Sequence, residues 1–157
     1  MSSPTITIEE AKVKIQEYCA VQDRCQYEVE QKLHAWGLIP MAIDEILMDL
    51  IASKFVDEDR FAKSFCRSKF NQKNWGRRKI QYELKLKKVS MINIAAGLAE
   101  IDEEEYLEKL RSLAKKKLDL VKDRSKWMKK SKTARYLIQK GYESKLVYQV
   151  IDELNDN

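Results

Sequence analysis

The chain has four Gly and two Pro among 157 residues, too little turn punctuation for a fold of many short strands. Its longest apolar run, Leu38 to Ile43, falls far below the ~18 residues that span a bilayer, so no membrane partner is expected. The opening Met1-Ser2-Ser3-Pro4 has neither a basic n-region nor an apolar h-region and does not read as a signal peptide. Three cysteines, Cys19, Cys25 and Cys66, form no C-x-x-C pair and read as reduced, partly buried thiols. A cytoplasmic location follows from that usage.

Chemistry is also scarce. His34 is the one histidine, placed between Leu33 and Trp36 as a surface or boundary residue, and no metal site is expected. No G-x-x-x-x-G-K-[ST] or G-x-G-x-x-G loop is present to cradle a phosphate. A Ser/His/Asp or Cys/His arrangement is not compelling with a lone histidine. The acidic groups Asp57/Asp59 and Glu103/Glu104/Glu105 sit at expected helix starts, where the macrodipole accounts for them without acid–base catalysis. The sequence therefore reads as a binding regulator with no catalytic residues, no cofactor and no metal.

What is present is helix former. Lys, Glu, Leu, Ile and Ala dominate, and a hydrophobic fraction of 44% is that of a globular chain. Charge is unevenly spread: residues 1–56 carry a net −4, residues 57–100 a net +6 and residues 101–157 a net +3. An acidic first third ahead of a basic remainder implies a polarity of binding surface.

An internal repeat organises the chain. Val29 to Leu50, Ile80 to Ile101 and Thr133 to Leu154 align without gaps at offsets of 51 and 53 residues. Five apolar columns coincide: Leu33/Leu84/Leu137, Leu38/Val89/Tyr142, Ile43/Ile94/Val147, Leu47/Leu98/Ile151 and Leu50/Ile101/Leu154. The last three columns follow i, i+4, i+7 spacing and make one apolar stripe on a helix in each unit. Gly37 and Gly141 share a column where a left-handed residue ends a helix, and Lys88 must adopt the same conformation or use another turn. Pro40 fits the first turn of the helix that follows.

Each unit also has a leading helix. The first is read as Ile8 to Ala20. The second is read as Glu58 to Lys73, capped by Asp57, with Phe61 and Phe65 on its buried face. The third carries the stripe Leu107, Leu110, Ala114, Leu118 and Val121. The expected fold is all-α, with three tandem three-helix units at residues 1–56, 57–102 and 103–157. Units of that size are marginal alone, so they should pack end to end into an elongated, curved array.

Two basic constellations are candidate partner sites. Trp75-Gly76-Arg77-Arg78-Lys79 opens a helix, where cations face the positive end of the macrodipole unless an anion docks among the free amides. Arg78, Tyr82 and Lys85 follow at i, i+4, i+7, away from Ile80 and Leu84. They suit phosphates or an acidic protein surface; a solvated face is the plainer alternative. The second region holds Lys129, Lys132 and Arg135. Lys115-Lys116-Lys117 cannot share a face and read as solvated, and Trp127 reads as a core plug rather than an interface anchor.

These residues resemble the RecX family, bacterial regulators of the RecA recombinase, from about Asp23 to Leu154. Val56-Asp57-Glu58-Asp59-Arg60-Phe61-Ala62 is similar to that family's acidic-pair, basic, aromatic, alanine signature. Gly76-Arg77-Arg78-Lys79-Ile80 with Glu83-Leu84 resembles the segment that follows it. Thr133-Ala134-Arg135-Tyr136-Leu137 and Lys140-Gly141-Tyr142, together with Glu28, Leu33 and Gly37, extend the likeness. Arg77 stands where the family often has Pro, and Lys88 where it usually has Gly.

The resemblance implies a monomer of three-helix repeats lying along the RecA–DNA filament. Such a protein damps ATP hydrolysis, strand exchange and filament extension, in homologous recombination, DNA repair and the SOS response. Arg77, Arg78, Lys79, Tyr82 and Lys85 are the first expected partner patch, and Lys129, Lys132 and Arg135 the second. The rival reading is a stand-alone helix-turn-helix module on single- or double-stranded DNA. A structural helical adaptor is a third.

Overall fold

The computed structural model describes residues 6–155, and the Met1–Pro4 segment read above lies outside them. The described residues form nine α-helices and no strand. The first unit holds α1 (Ile8–Val21), α2 (Gln26–Ala35) and α3 (Pro40–Ala52). The second holds α4 (Glu58–Lys73), α5 (Arg77–Leu86) and α6 (Met91–Leu98). The third holds α7 (Glu103–Leu120), α8 (Lys126–Gln139) and α9 (Ser144–Asn155). The chain is thus three tandem three-helix repeats.

Helix starts are written locally. Thr7, Asp57, Ser90, Asp102 and Ser125 each accept a backbone N–H from the first turn of the helix they precede. Pro40 occupies the first turn of α3, as the spacing predicts. Each unit's second helix ends in one and the same way. Gly37, Lys88 and Gly141 take φ of 82°, 59° and 104°. Beyond them Leu38, Val89 and Tyr142 donate their amides back to the carbonyls of Leu33, Leu84 and Leu137 at 3.3, 3.1 and 3.1 Å. This six-to-one bond is the Schellman ending, and its two residues are the first two apolar columns of the repeat. Lys88 accepts the left-handed conformation at a cost of about 1–2 kcal/mol.

The repeat columns fill the cores. All their members are buried except Leu98 and Leu154, which are half-buried. The stripe expected on α7 needs correction. Tyr106, Leu110 and Ala114 are its buried members, Leu107 and Leu118 are half-buried, and the helix ends at Leu120 with Val121 an extended cap. Trp127 is also corrected: it is 70% exposed rather than a core plug. The buried face of α8 begins only at Thr133, so its first turn runs past the bundle.

The units are joined in two different ways. Between the first and second, Glu58 caps α2 by accepting the Gln26 amide at 2.8 Å. Arg60 binds Asp23 at 2.9 Å and donates to the carbonyls of Lys54 and Phe55, while Lys87 pairs with Glu28 at 3.2 Å. Cys25 passes from this side into the second unit's core, with half-buried Tyr27 packed against it, and the remaining first-unit core is a separate cluster. The signature Asp57-Glu58-Asp59-Arg60-Phe61-Ala62 is therefore a joint. Asp57 caps α4, Glu58 and Arg60 grip the first unit, Asp59 pairs with Lys63, and Phe61 and Ala62 are core. Within the second unit Gly97 on α6 packs against the same segment, since a Cβ there would meet the Ala62 carbonyl oxygen at 2.7 Å.

The second and third units share one continuous core. At their boundary the Gly76 amide donates to the Lys140 carbonyl and the Arg78 amide to the Gly141 carbonyl, both at 2.8 Å, while the Arg77 amide donates to the Tyr106 hydroxyl at 3.0 Å. Orphan donors of α5 thus meet orphan acceptors of α8. The backbones touch: a Cβ on Gly76 would lie 2.4 Å from the Gly141 carbonyl carbon, and one on Gly141 would lie 2.4 Å from Lys79 Cβ. The Arg77 guanidinium stacks 3.8 Å from the Tyr106 ring centre and pairs with Glu103 and Glu143, each at 2.9 Å. Tyr106 donates its hydroxyl to Glu143; burial, then that bond, holds its phenol above the ordinary range. Tyr142 packs on Tyr106 with ring centres 5.2 Å apart and donates to the Asn74 carbonyl at 3.0 Å.

Gly141→Ala should destabilise the fold by about 3 kcal/mol through backbone strain and overlap, read as a lower midpoint in chemical denaturation. Arg77→Ala should cost about 2–3 kcal/mol by leaving Glu143 and Glu103 without their cation and uncovering the Tyr106 ring, whereas Arg78→Ala should stay within about 0.5 kcal/mol. Burial raises the Glu58 carboxyl above its ordinary value despite the Gln26 bond. A carboxyl raised on folding contributes stability at low pH that is lost as pH rises through its folded value. Glu58→Gln keeps an acceptor for Gln26, so it should leave neutral-pH stability equal or higher and flatten that loss.

Candidate partner-binding face

α5 buries Ile80 and Leu84 and turns Arg78, Tyr82 and Lys85 outward, with Tyr82 60% exposed. That stripe is placed as the spacing predicts. Neither Arg78 nor Lys85 enters an ion pair among the described residues. Lys79 lies half-buried with its ammonium 4.5 Å from the Trp75 ring centre, and Lys69 approaches the same ring at 5.1 Å.

Arg77 is not on this face. The sequence pairs it with Arg78 and Lys79 as an anion site at a helix start. In the structure that start is already filled: the amides go to Lys140, Tyr106 and Gly141, and the carboxylates of Glu103 and Glu143 supply the negative charge. The anion that local physics demands comes from the third unit of the same chain. Glu143 and Tyr106 lie 66 and 29 residues away from Arg77, so no local signal names them.

A groove of about 390 Å³ runs along the boundary, lined by Arg78, Lys79, Tyr82 and Glu83 of α5 and by Ile138, Gln139, Gly141 and Ser144 opposite. Lys132, Arg135 and Gln139 follow i, i+3, i+7 on α8, so Lys132 and Arg135 share the stripe that reaches this groove. Of that stripe, Gln139 is the member that lines the groove. Arg135 is exposed, while Lys132 is bound to Asp123 at 3.1 Å. The Ser125 amide, then that ammonium, holds the Asp123 carboxyl below its usual range. Lys129 stands apart, lining a different groove with Lys115, Lys126, Leu118 and Leu154.

The arrangement suits recognition of an anionic, partly apolar surface. Cys25 and Cys66 are fully buried, and burial pushes each thiol up to about 12, which leaves it uncharged at neutral pH and a poor nucleophile. Among the described residues no group of three or more His, Cys, Asp and Glu is placed to hold a metal ion. No helix among them is long and apolar enough to cross a membrane.

Comparison with known proteins agrees along most of the chain. Residues 57–98 match the family model described as RecX, second three-helix domain, and residues 103–151 match that of RecX, third three-helix domain. The regulatory protein RecX of Vibrio campbellii is 30% identical over 142 residues, covering 90% of this chain and 88% of that protein. That of Oceanobacillus iheyensis is 31% identical over 132 residues, covering 84% of this chain, which spans about half (48%) of the longer relative. The crystal structure of RecX from Lactobacillus salivarius superposes with a TM-score of 0.84 at 25% identity, covering 96% of this chain and 97% of that one. The chain belongs to the RecX family of regulatory proteins.

Proposed function

We propose that the chain binds the cytoplasmic RecA–DNA filament and damps RecA ATP hydrolysis, strand exchange and filament extension, without catalysis of its own. The observation that carries this reading is the exposed α5 stripe of Arg78, Tyr82 and Lys85, whose first two members line a groove across a junction closed by backbone hydrogen bonds. A face whose two halves are fixed relative to each other loses little freedom on binding. The regulatory naming of the relatives and the tandem units, taken as 1–56, 57–102 and 103–157, support it further. A repeating partner lets each unit add a modest contact, and the contacts multiply through effective concentration.

A stand-alone DNA module fits less well. A helix-turn-helix reader inserts the helix after its turn into the major groove. Here those helices are α3, which carries Asp44, Glu45 and Asp49 and no cation, α6, which carries no charge, and α9, whose single cation Lys145 stands with Asp152 and Glu153. None of the three carries a net positive charge to set against phosphates.

The test is single-stranded-DNA-dependent ATP hydrolysis by the cognate RecA, with the regulator titrated below stoichiometry. The wild type should inhibit well below one regulator per recombinase. Arg78→Glu with Lys85→Glu should raise the half-inhibiting concentration at least about tenfold while the helical circular dichroism stays unchanged. Unchanged inhibition by that variant would remove α5 from the interface. Absence of any inhibition at excess, with salt-steep binding to bare DNA, would favour the DNA module instead.

A further inference from the structure

The two ends of the repeat array carry opposite chemistry, and both expose apolar side chains. Solenoid ends are ordinarily sealed by a polar outer face. At the first unit, α3 turns Met41, Met48 and Ile51 to solvent, 78%, 70% and 41% exposed. Asp44 and Glu45 stand exposed between them. The helix has no Lys or Arg, and none of its carboxylates enters an ion pair among the described residues.

At the third unit, the ends of α7 and α9 and the start of α8 enclose a groove of about 500 Å³. Its floor is Leu118 and Leu154, and among the described residues that line it Lys115, Lys126 and Lys129 stand against the one carboxylate of Asp119. The other acids nearby on α9 are already matched, Asp152 by Lys130 and Glu153 by Arg111. Exposed Leu120 and Trp127 extend the apolar surface beside it.

Against the monomer that the family resemblance implies, we propose that these ends are complementary: α3 of one copy docks in the lysine-rimmed groove of the next, joining two copies of this chain head to tail. The apolar ridge of Met41, Met48 and Ile51 meets Leu118 and Leu154, and Asp44 and Glu45 meet the rim lysines. The net −4 of residues 1–56 against the net +3 of residues 101–157 orients the approach. Such a contact is heterologous, so each copy keeps one free end and the pairing extends rather than closes. The groove also gives Lys129 a role apart from the α5 face. Neither DNA nor a recombinase takes part, so this association stands or falls independently of filament binding.

Sedimentation velocity of the full chain over a rising concentration series tests it. The wild type should form dimers and then longer species, weakened by added salt. Met41→Ser with Met48→Ser, and Lys115→Glu with Lys126→Glu, change exposed positions and should each weaken self-association at least about tenfold with helical circular dichroism intact. An equimolar mixture of the two variants should recover a complex that stops at two chains, because one intact head and one intact tail remain. A wild type that sediments as a monomer throughout at low salt would overturn the proposal. So would association undiminished in both variants, or a mixture that stays monomeric while the wild type associates.

Discussion

At the start of α5, backbone amides from Gly76 to Arg78 find their acceptors at the end of α8, on the Lys140 and Gly141 carbonyls, and on the Tyr106 hydroxyl. A helix start with free donors and a helix end with free acceptors are each uncomfortable when covered. Brought together they satisfy each other, and the opposed macrodipole ends attract. This is possible only because two glycines let the backbones approach where any Cβ would collide. The order of the second and third units, the burial of Tyr106 and Tyr142 and the placement of Arg78 beside the α8 stripe all depend on that contact.

The same logic explains why the first unit is attached differently. Its link to the second is made of side chains, Asp23 with Arg60, Glu28 with Lys87 and Glu58 with the Gln26 amide, plus one buried sulfur. Such pairs lie partly in water and contribute modestly. The family-like motifs of this sequence thus mark the joints of the array. Arg60 and Arg77, the two arginines that stand out in those motifs, are both held by carboxylates of neighbouring units.

Much of the fold was legible because its causes are local. The five columns read as a repeat because two of them are the ends of one helix-terminating hydrogen bond and three are one helix stripe. The limits of α4 followed from Asp57 and the apolar spacing. What could not be read was set across sequence distance. Arg77 looked like a partner contact because its carboxylates come from the third unit. Tyr106 was passed over because its hydroxyl suits a surface as well as a junction. Trp127 looked like core because its size suggests burial, yet it stands on the first turn of α8, ahead of that helix's buried face. Of the candidate site, the α5 stripe was readable from spacing alone, while the groove beside it, lined from α8 by Ile138 and Gln139, required the fold.

The glycine-to-glycine contact also sets an order on how the chain can mature. The first unit has its own core and can close as soon as its residues leave the ribosome. The second cannot complete: the acceptors for the start of α5 lie more than sixty residues downstream, at Lys140 and Gly141. Until those arrive, the nascent chain presents a helix end with bare amides and a half-covered core, and it is the third unit that seals the middle.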